Sequence, residues 1–184
     1  MRMIRATCCL LALGVLSGCV SGFRYFEHPE THKYQGYWGP ELPDGVFEES
    51  PKLVDSGILF LPRVRELAWQ SDQSGAVFFY ARRKAGIWMD RVEISDEKSG
   101  ASATLMIRKK VEISSVDEHS GFHRGSIRVD FKGVPGADRV LAGSAVIMTI
   151  YYQIPPSGSS GEKRFVLKKK VRIGRTLSDI LAAA

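Results

Sequence analysis

Ile127, Val129 and Phe131 alternate with Arg128 and Asp130, and this period of two returns along most of the chain. Successive side chains of a strand point to opposite faces, so the pattern commits the chain to half-buried β-strands more firmly than any other feature. Leu105, Ile107, Val111 and Ile113 share one parity against Arg108, Lys110 and Glu112. Phe165, Leu167, Val171 and Ile173 oppose Arg164, Lys168, Lys170 and Arg172. Val146, Met148, Ile150, Tyr152 and Ile154 mark a long aromatic-rich strand, and the run from Ala76 to Ala81 is apolar on both parities. Ile58 to Leu61, closed by Pro62, and Val64 to Trp69 read as two further strands. Trp88, Val92 and Ile94 are expected to face one way and Met89, Arg91 and Glu93 the other.

Gly- and Ser-rich stretches at 71–75, 95–102 and 157–161 separate these runs. Short strands at even spacing predict an all-β fold, an immunoglobulin-like antiparallel sandwich of about seven or eight strands over residues 56–175. Thr176 and Asp179 resemble a capping box, which predicts a short helix over 176–184 with Leu177, Ile180 and Leu181 on one face. Between Val20 and Asp55, Pro29, Pro40, Pro43 and Pro51 forbid a long helix or a central strand, so 19–55 reads as an extended arm. Phe23, Tyr25, Phe26, Tyr34, Tyr37 and Trp38 crowd into sixteen residues of that arm, which a flexible spacer would not contain.

The first residues carry an address. Arg2 and Arg5 precede an apolar stretch from Ala6 to Leu16, broken only by Thr7, in the pattern of an export signal. Eleven residues are too few to span a bilayer, which takes about 20. Leu16, Ser17, Gly18 and Cys19 follow, an order that resembles the lipobox of bacterial membrane lipoproteins. The resemblance covers the signal region alone. It implies that residues 1–18 are removed by signal peptidase II, that the Cys19 sulfur carries a diacylglycerol, and that the freed amine is often acylated as well. Two or more chains hold a protein firmly at a membrane, each buried methylene contributing about 0.8 kcal/mol. By the sorting pattern of such lipoproteins, Val20 in place of an aspartate favours the outer membrane, facing the periplasm.

Processing at Cys19 would remove Cys8 and Cys9, so no disulfide, thiolate metal site or cysteine nucleophile is expected in the mature chain. Charge is divided unevenly. Residues 20–55 carry seven acids and three bases, residues 56–184 thirteen acids and twenty-one bases. A basic domain behind an acidic arm suits an anionic partner: lipid head groups, an envelope glycan or an acidic protein. Nucleic acid does not fit the compartment that the signal implies.

If residues 164–172 are extended, Arg164, Lys168, Lys170 and Arg172 project about 7 Å apart, a ladder of candidate contacts to an anionic partner. The same cations also deter strand-to-strand aggregation at a sheet edge. Lys109 and Lys169 sit at the apolar parity of two similar strands, "IRKKVEI" at 107–113 and "LKKKVRI" at 167–173, so either a bulge re-aims them or their ammonium groups snorkel to a rim. Tyr34, Tyr37 and Trp38 are candidate aromatic contacts, with packing onto the sandwich as the competing account.

Catalytic signals are weak. His28 with His32 and His119 with His123 have the spacing that suits zinc on a helix, but Pro29 and Gly121 interrupt the two segments. Ser95 and Lys98 have a Ser-x-x-Lys spacing in a stretch that reads as a turn. No catalytic residue, metal or cofactor is therefore expected. The chain reads as a lipid-anchored envelope module that binds or assembles, with a small metal-dependent or hydrolytic enzyme built on the histidines as the rival. An accessory subunit of a secretion or surface-assembly machine fits the same residues.

Overall fold

The computed structural model describes residues 22–30, 34, 42–67, 73–155 and 159–173. The leader, Cys19, His32, Tyr37, Trp38 and the helix expected from Thr176 lie outside them, as does the side chain of Arg172. In chain order the elements are β1 (Gly22–Glu27), α1 (Val46–Glu49), a 3-10 turn (Pro51–Leu53), β2 (Val54–Asp55), β3 (Ile58–Leu67), β4 (Ser74–Ala81), β5 (Ala85–Ser95) and β6 (Ser102–Ile113). Then come β7 (Ser115–Val116), β8 (His123–Asp130), α2 (Ala137–Ala142), β9 (Ala145–Ile154) and β10 (Ser159–Ile173).

The domain is all-β and antiparallel, as the alternation predicts. Ten strands form it, in the order β6-β5-β9-β10-β1-β3-β4-β8-β7, with β2 paired to β3. This path of hydrogen bonds is unbroken, so its two halves are joined through β1. The sheet folds over on itself: Phe60 of β3 meets Tyr152 of β9 with ring centroids 4.9 Å apart, although two strands separate them along the path. Phe26, Phe60, Phe79, Met89, Met148 and Phe165 are buried in the space so enclosed. Each large apolar side chain buried in this way contributes about 1.5–3 kcal/mol.

β1 corrects the reading of 19–55 as an arm. Gly22–Glu27 pairs with β10 over six residues and with β3 over four, which makes it an interior strand. Of the described residues that follow, Tyr34 and those from Leu42 to Leu53 supply side chains to the outward face of β3 and β4. Leu59, Leu61 and Tyr80, which point away from the enclosed core, are buried in one cluster with Tyr34, Leu42, Val46 and Leu53. Phe47 of α1 stacks edge-on to Phe122 at 5.1 Å, and Arg82 lies 5.1 Å over the Phe47 ring. The hydroxyl of Tyr80 is buried, and burial with the nearby charge of Asp117 pushes its pKa up to about 12, with Arg124 opposing.

Two strand assignments change. Ile58–Leu61 and Val64–Leu67 belong to one strand, β3, that runs through Pro62. Pro62 falls between the residues that pair with β2 (Ile58, Leu59) and those that pair with β1 (Val64–Leu67), so its missing N–H interrupts neither ladder. In β5, Met89 is buried and Trp88 is 39% exposed, the reverse of the expected parity. The cause is a bulge at Asp90. Met89 opposes Tyr152 and Arg91 opposes Tyr151, so one extra residue flips the strand, and the inward set passes from Ile87 and Met89 to Val92 and Ile94. β6 bulges beside it at Ile107–Arg108, where Arg108 adopts a φ of 47° and leaves Lys109 exposed.

Two short helices were not expected. α2 buries Ala137, Val140 and Leu141 against β5 and β6 at one end of the folded sheet. At the other end β6 and β8 approach so closely that a Cβ added to Gly125 would lie 2.5 Å from the carbonyl oxygen of Glu112. Gly125→Ala is therefore expected to force these backbones apart and to cost about 1–3 kcal/mol, as overpacking does. Urea unfolding followed by tryptophan fluorescence checks this, and an unchanged midpoint would contradict the close approach.

Candidate functional site

β10 carries the cationic face. Lys168 and Lys170 are exposed, as their parity predicts, with Val166 46% exposed on the same side. Arg164 lies on that face too, but its guanidinium donates to Glu97 at 3.2 Å, so it is partly engaged within the molecule. Lys169 turns the other way. Its ammonium donates to the carbonyl oxygen of Leu141 at 2.8 Å and to that of Ala142 at 3.4 Å, the last residues of α2, while its charge sits 5.2 Å from the Phe26 ring. A cation at a helix C-terminus satisfies carbonyls that have no partner within the helix. Lys169 thus belongs to the fold, and the exposed Lys168 and Lys170 on either side of it are available to a partner.

The aromatic candidates divide. Tyr34 is 2% exposed, and its hydroxyl shares a hydrogen bond of 2.8 Å with Ser50, so it is a packed residue, not a surface contact. Tyr37 and Trp38 lie outside the described residues. An aromatic cluster that the alternation concealed is on the outward face of β5 and β9. There Arg91 lies 3.7 Å over the Tyr151 ring and donates to Glu93 and Asp90, both at 2.9 Å. Tyr151 donates to Glu93 at 3.1 Å. These groups largely satisfy one another, and Trp88, displaced outward by the bulge, is the partly exposed ring beside them.

The histidines serve separate local structures. His28 follows β1, is half-buried and meets Phe165 edge-on at 5.7 Å. Its Nδ1 accepts the backbone N–H of Glu30 at 3.3 Å, which requires that nitrogen to be unprotonated. Burial lowers its pKa, with the Lys52 charge acting in the same direction and Glu30 opposing. His123 opens β8, and its Nδ1 lies 3.2 Å from the carbonyl oxygen of Ser114. β3 and β4 stand between β1 and β8 in the sheet, a separation of about 14 Å along it at the usual strand spacing. Among the described residues no group of three or more His, Cys, Asp or Glu could hold a metal ion.

His119 occupies a turn whose counterpart recurs elsewhere. Asp96-Glu97-Lys98-Ser99-Gly100 and Asp117-Glu118-His119-Ser120-Gly121 fold alike. In the first, the Asp96 carboxylate accepts the Ser99 hydroxyl at 2.7 Å and the backbone N–H groups of Lys98 and Ser99, both at 3.2 Å. Those bonds, the Ser99 hydroxyl foremost, hold its pKa below the ordinary value. In the second, Asp117 accepts the Ser120 hydroxyl at 2.6 Å and its N–H at 3.2 Å. Gly100 and Gly121 close the turns at φ of 67° and 71°, where a side chain would be strained. Ser95 and Lys98 accordingly frame a turn, as expected, and the repeat of Asp-Glu-x-Ser-Gly was the readable signal for both.

A polar tie closes the end where β2 meets the β9–β10 hairpin. Tyr152 donates to Asp55, and Lys163 donates to the carbonyl oxygen of Val54 at 2.7 Å. Burial first, then the bond to Asp55, raises the Tyr152 pKa, so the phenol stays protonated as a donor; burial lowers that of Lys163, with the Asp55 charge opposing.

Compared with known proteins, the chain matches no family model and no curated protein. Among the described residues no helix is long and apolar enough to cross a membrane.

Two outcomes follow from these contacts. Lys169→Met keeps the stem near Phe26 but removes the donor to α2, and is expected to cost about 1 kcal/mol of stability in urea titrations. For His28, the native state holds the neutral ring. Its contribution is thus complete above the ordinary value of about 6.5 and is lost as pH falls from there through the lowered native value. Unfolding at pH 7.5 and at lower pH should show the native protein losing more stability than His28→Gln, and equal losses would contradict the assignment.

Proposed function

We propose that the protein is a lipid-anchored lipoprotein of the cell envelope, most simply of the outer membrane facing the periplasm, whose folded domain binds or assembles and does not catalyse. The lipobox-like Leu16-Ser17-Gly18-Cys19 carries this reading. The described residues include no cysteine, which is consistent with it, since a domain of this size can be held by its own apolar packing. For the scaffold we retain a two-layered sandwich of the immunoglobulin-like kind only in its layering, because β1 joins the layers by hydrogen bonds to β10 and β3.

The partner is proposed to be anionic. Lys168 and Lys170, projecting from one face of β10, support an electrostatic contact with an envelope protein, a glycan or a lipid surface that weakens as salt is added. The histidines lend no comparable support to an enzyme, because His28 and His123 are each engaged by their own strand end and His119 is exposed in the 117–121 turn.

Cys19→Ser tests the anchor. The variant is expected to leave the membrane fraction, and the native protein to show on Cys19 the mass of a diacylglycerol. A native chain with an intact leader or an unmodified sulfur would overturn the reading.

A further inference from the structure

The distance along the chain from Cys19 to the sheet is short. Three residue steps separate Cys19 from Gly22, the first residue of β1, and they can span at most about 11 Å. An arm running to residue 55 would have reached about twelve times as far. β1 is also held on both sides, by β10 and by β3, so the attachment point does not belong to an edge that can peel away. Whatever surface holds Cys19 therefore lies next to one particular end of the sheet.

The registers identify that end. Gly22 pairs with Ile173, and Phe23 with Leu67; on that side of the sheet, but set back from Gly22, the ladders end three residues short at Ser74 of β4 and Asp130 of β8, five short at Ala145 of β9, and seven short at Ser95 of β5 and Ser102 of β6. The 96–101 turn and α2 lie there too. Lys98, Lys132, Arg139, Lys168 and Lys170 are exposed on this end or on the last part of β10 leading to it. Its acids are largely engaged: Asp96 is buried in its own turn, Glu97 meets Arg164, Asp130 meets Arg128 at 3.5 Å, and Asp138 accepts Gln73. The opposite end exposes Arg83 and Lys84, so charge alone does not choose between the ends, and the short reach from Cys19 does.

We infer that the end of the sheet bearing α2, with Lys98, Lys132, Arg139, Lys168 and Lys170, faces the anionic head groups of the bilayer that holds the Cys19 lipid, Lys170 and Lys168 standing nearest to them. The opposite end, with the 56–57 and 82–84 turns, then projects away from the membrane and is the one presented to other molecules. This rests on the lipoprotein reading above.

The test uses the full lipidated protein in vesicles of phosphatidylcholine with a minority of phosphatidylglycerol. Ala142→Cys and Arg83→Cys, both at exposed positions, each introduce a thiol for a fluorophore, and a head-group spin label acts as quencher. Quenching several-fold stronger at position 142 than at 83 is expected. Changing Lys132, Arg139, Lys168 and Lys170 together to Glu should reduce the difference, as should a long Gly-Ser insertion between Ser21 and Gly22. Equal or reversed quenching on a protein that floats with the vesicles and carries the lipid overturns the orientation alone. A protein that neither floats nor carries the lipid overturns the anchor, and the orientation with it.

Discussion

Six residues join the two halves of this molecule. β1 accepts β10 along one side and β3 along the other, and among the described strands it is the link between β6-β5-β9-β10 and β3-β4-β8 in the hydrogen-bonded path. An interior strand cannot leave its donors and acceptors unpaired in a dry core, where each orphaned group costs about 1–3 kcal/mol. β1 pairs with the last residues of both β3 and β10, and Pro62 lies just beyond its ladder on β3.

Irregularities adapt the sheet to this closure. The bulges at Asp90 and at Ile107–Arg108 bend β5 and β6 at the far side of the path, opposite the place where Gly125 lets β8 come up against β6. α2 fills the end that the strands leave open, and Lys169 reaches from β10 to its last carbonyls. A lysine at an apolar parity is in this way explained by a helix 28 residues earlier in the chain.

Much of this was legible from alternation alone. The two-residue period found β8, β9 and β10 and gave Lys168 and Lys170 their outward sense, while β4 was marked by a run apolar on both parities. It failed where one residue was added, because alternation carries straight through a bulge: Trp88 and Met89 exchange faces across Asp90. It failed also at β1, where Phe-Arg-Tyr-Phe-Glu breaks the pattern and the neighbouring prolines suggest an arm, although the crowding of rings already demanded burial. α2 was too short to register, yet Ala137, Val140 and Leu141 between Gly136 and Gly143 have helical spacing. Of the candidate site, the cations were readable residue by residue. Engagement of Arg164 by Glu97 and of Tyr34 by Ser50 was not, since both pairings join segments that only the tertiary fold brings together.

The first described strand pairs with the last. β1 and β10 lie about 150 residues apart, so the ladder that unites the halves must close a long loop. Until then the apolar edges of β3 and β1 have no cover. Such long-range topology folds slowly and exposes sticky intermediates. Slow closure of this ladder, and with it late burial of the face of β3, is the consequence expected of a topology whose uniting strands lie so far apart.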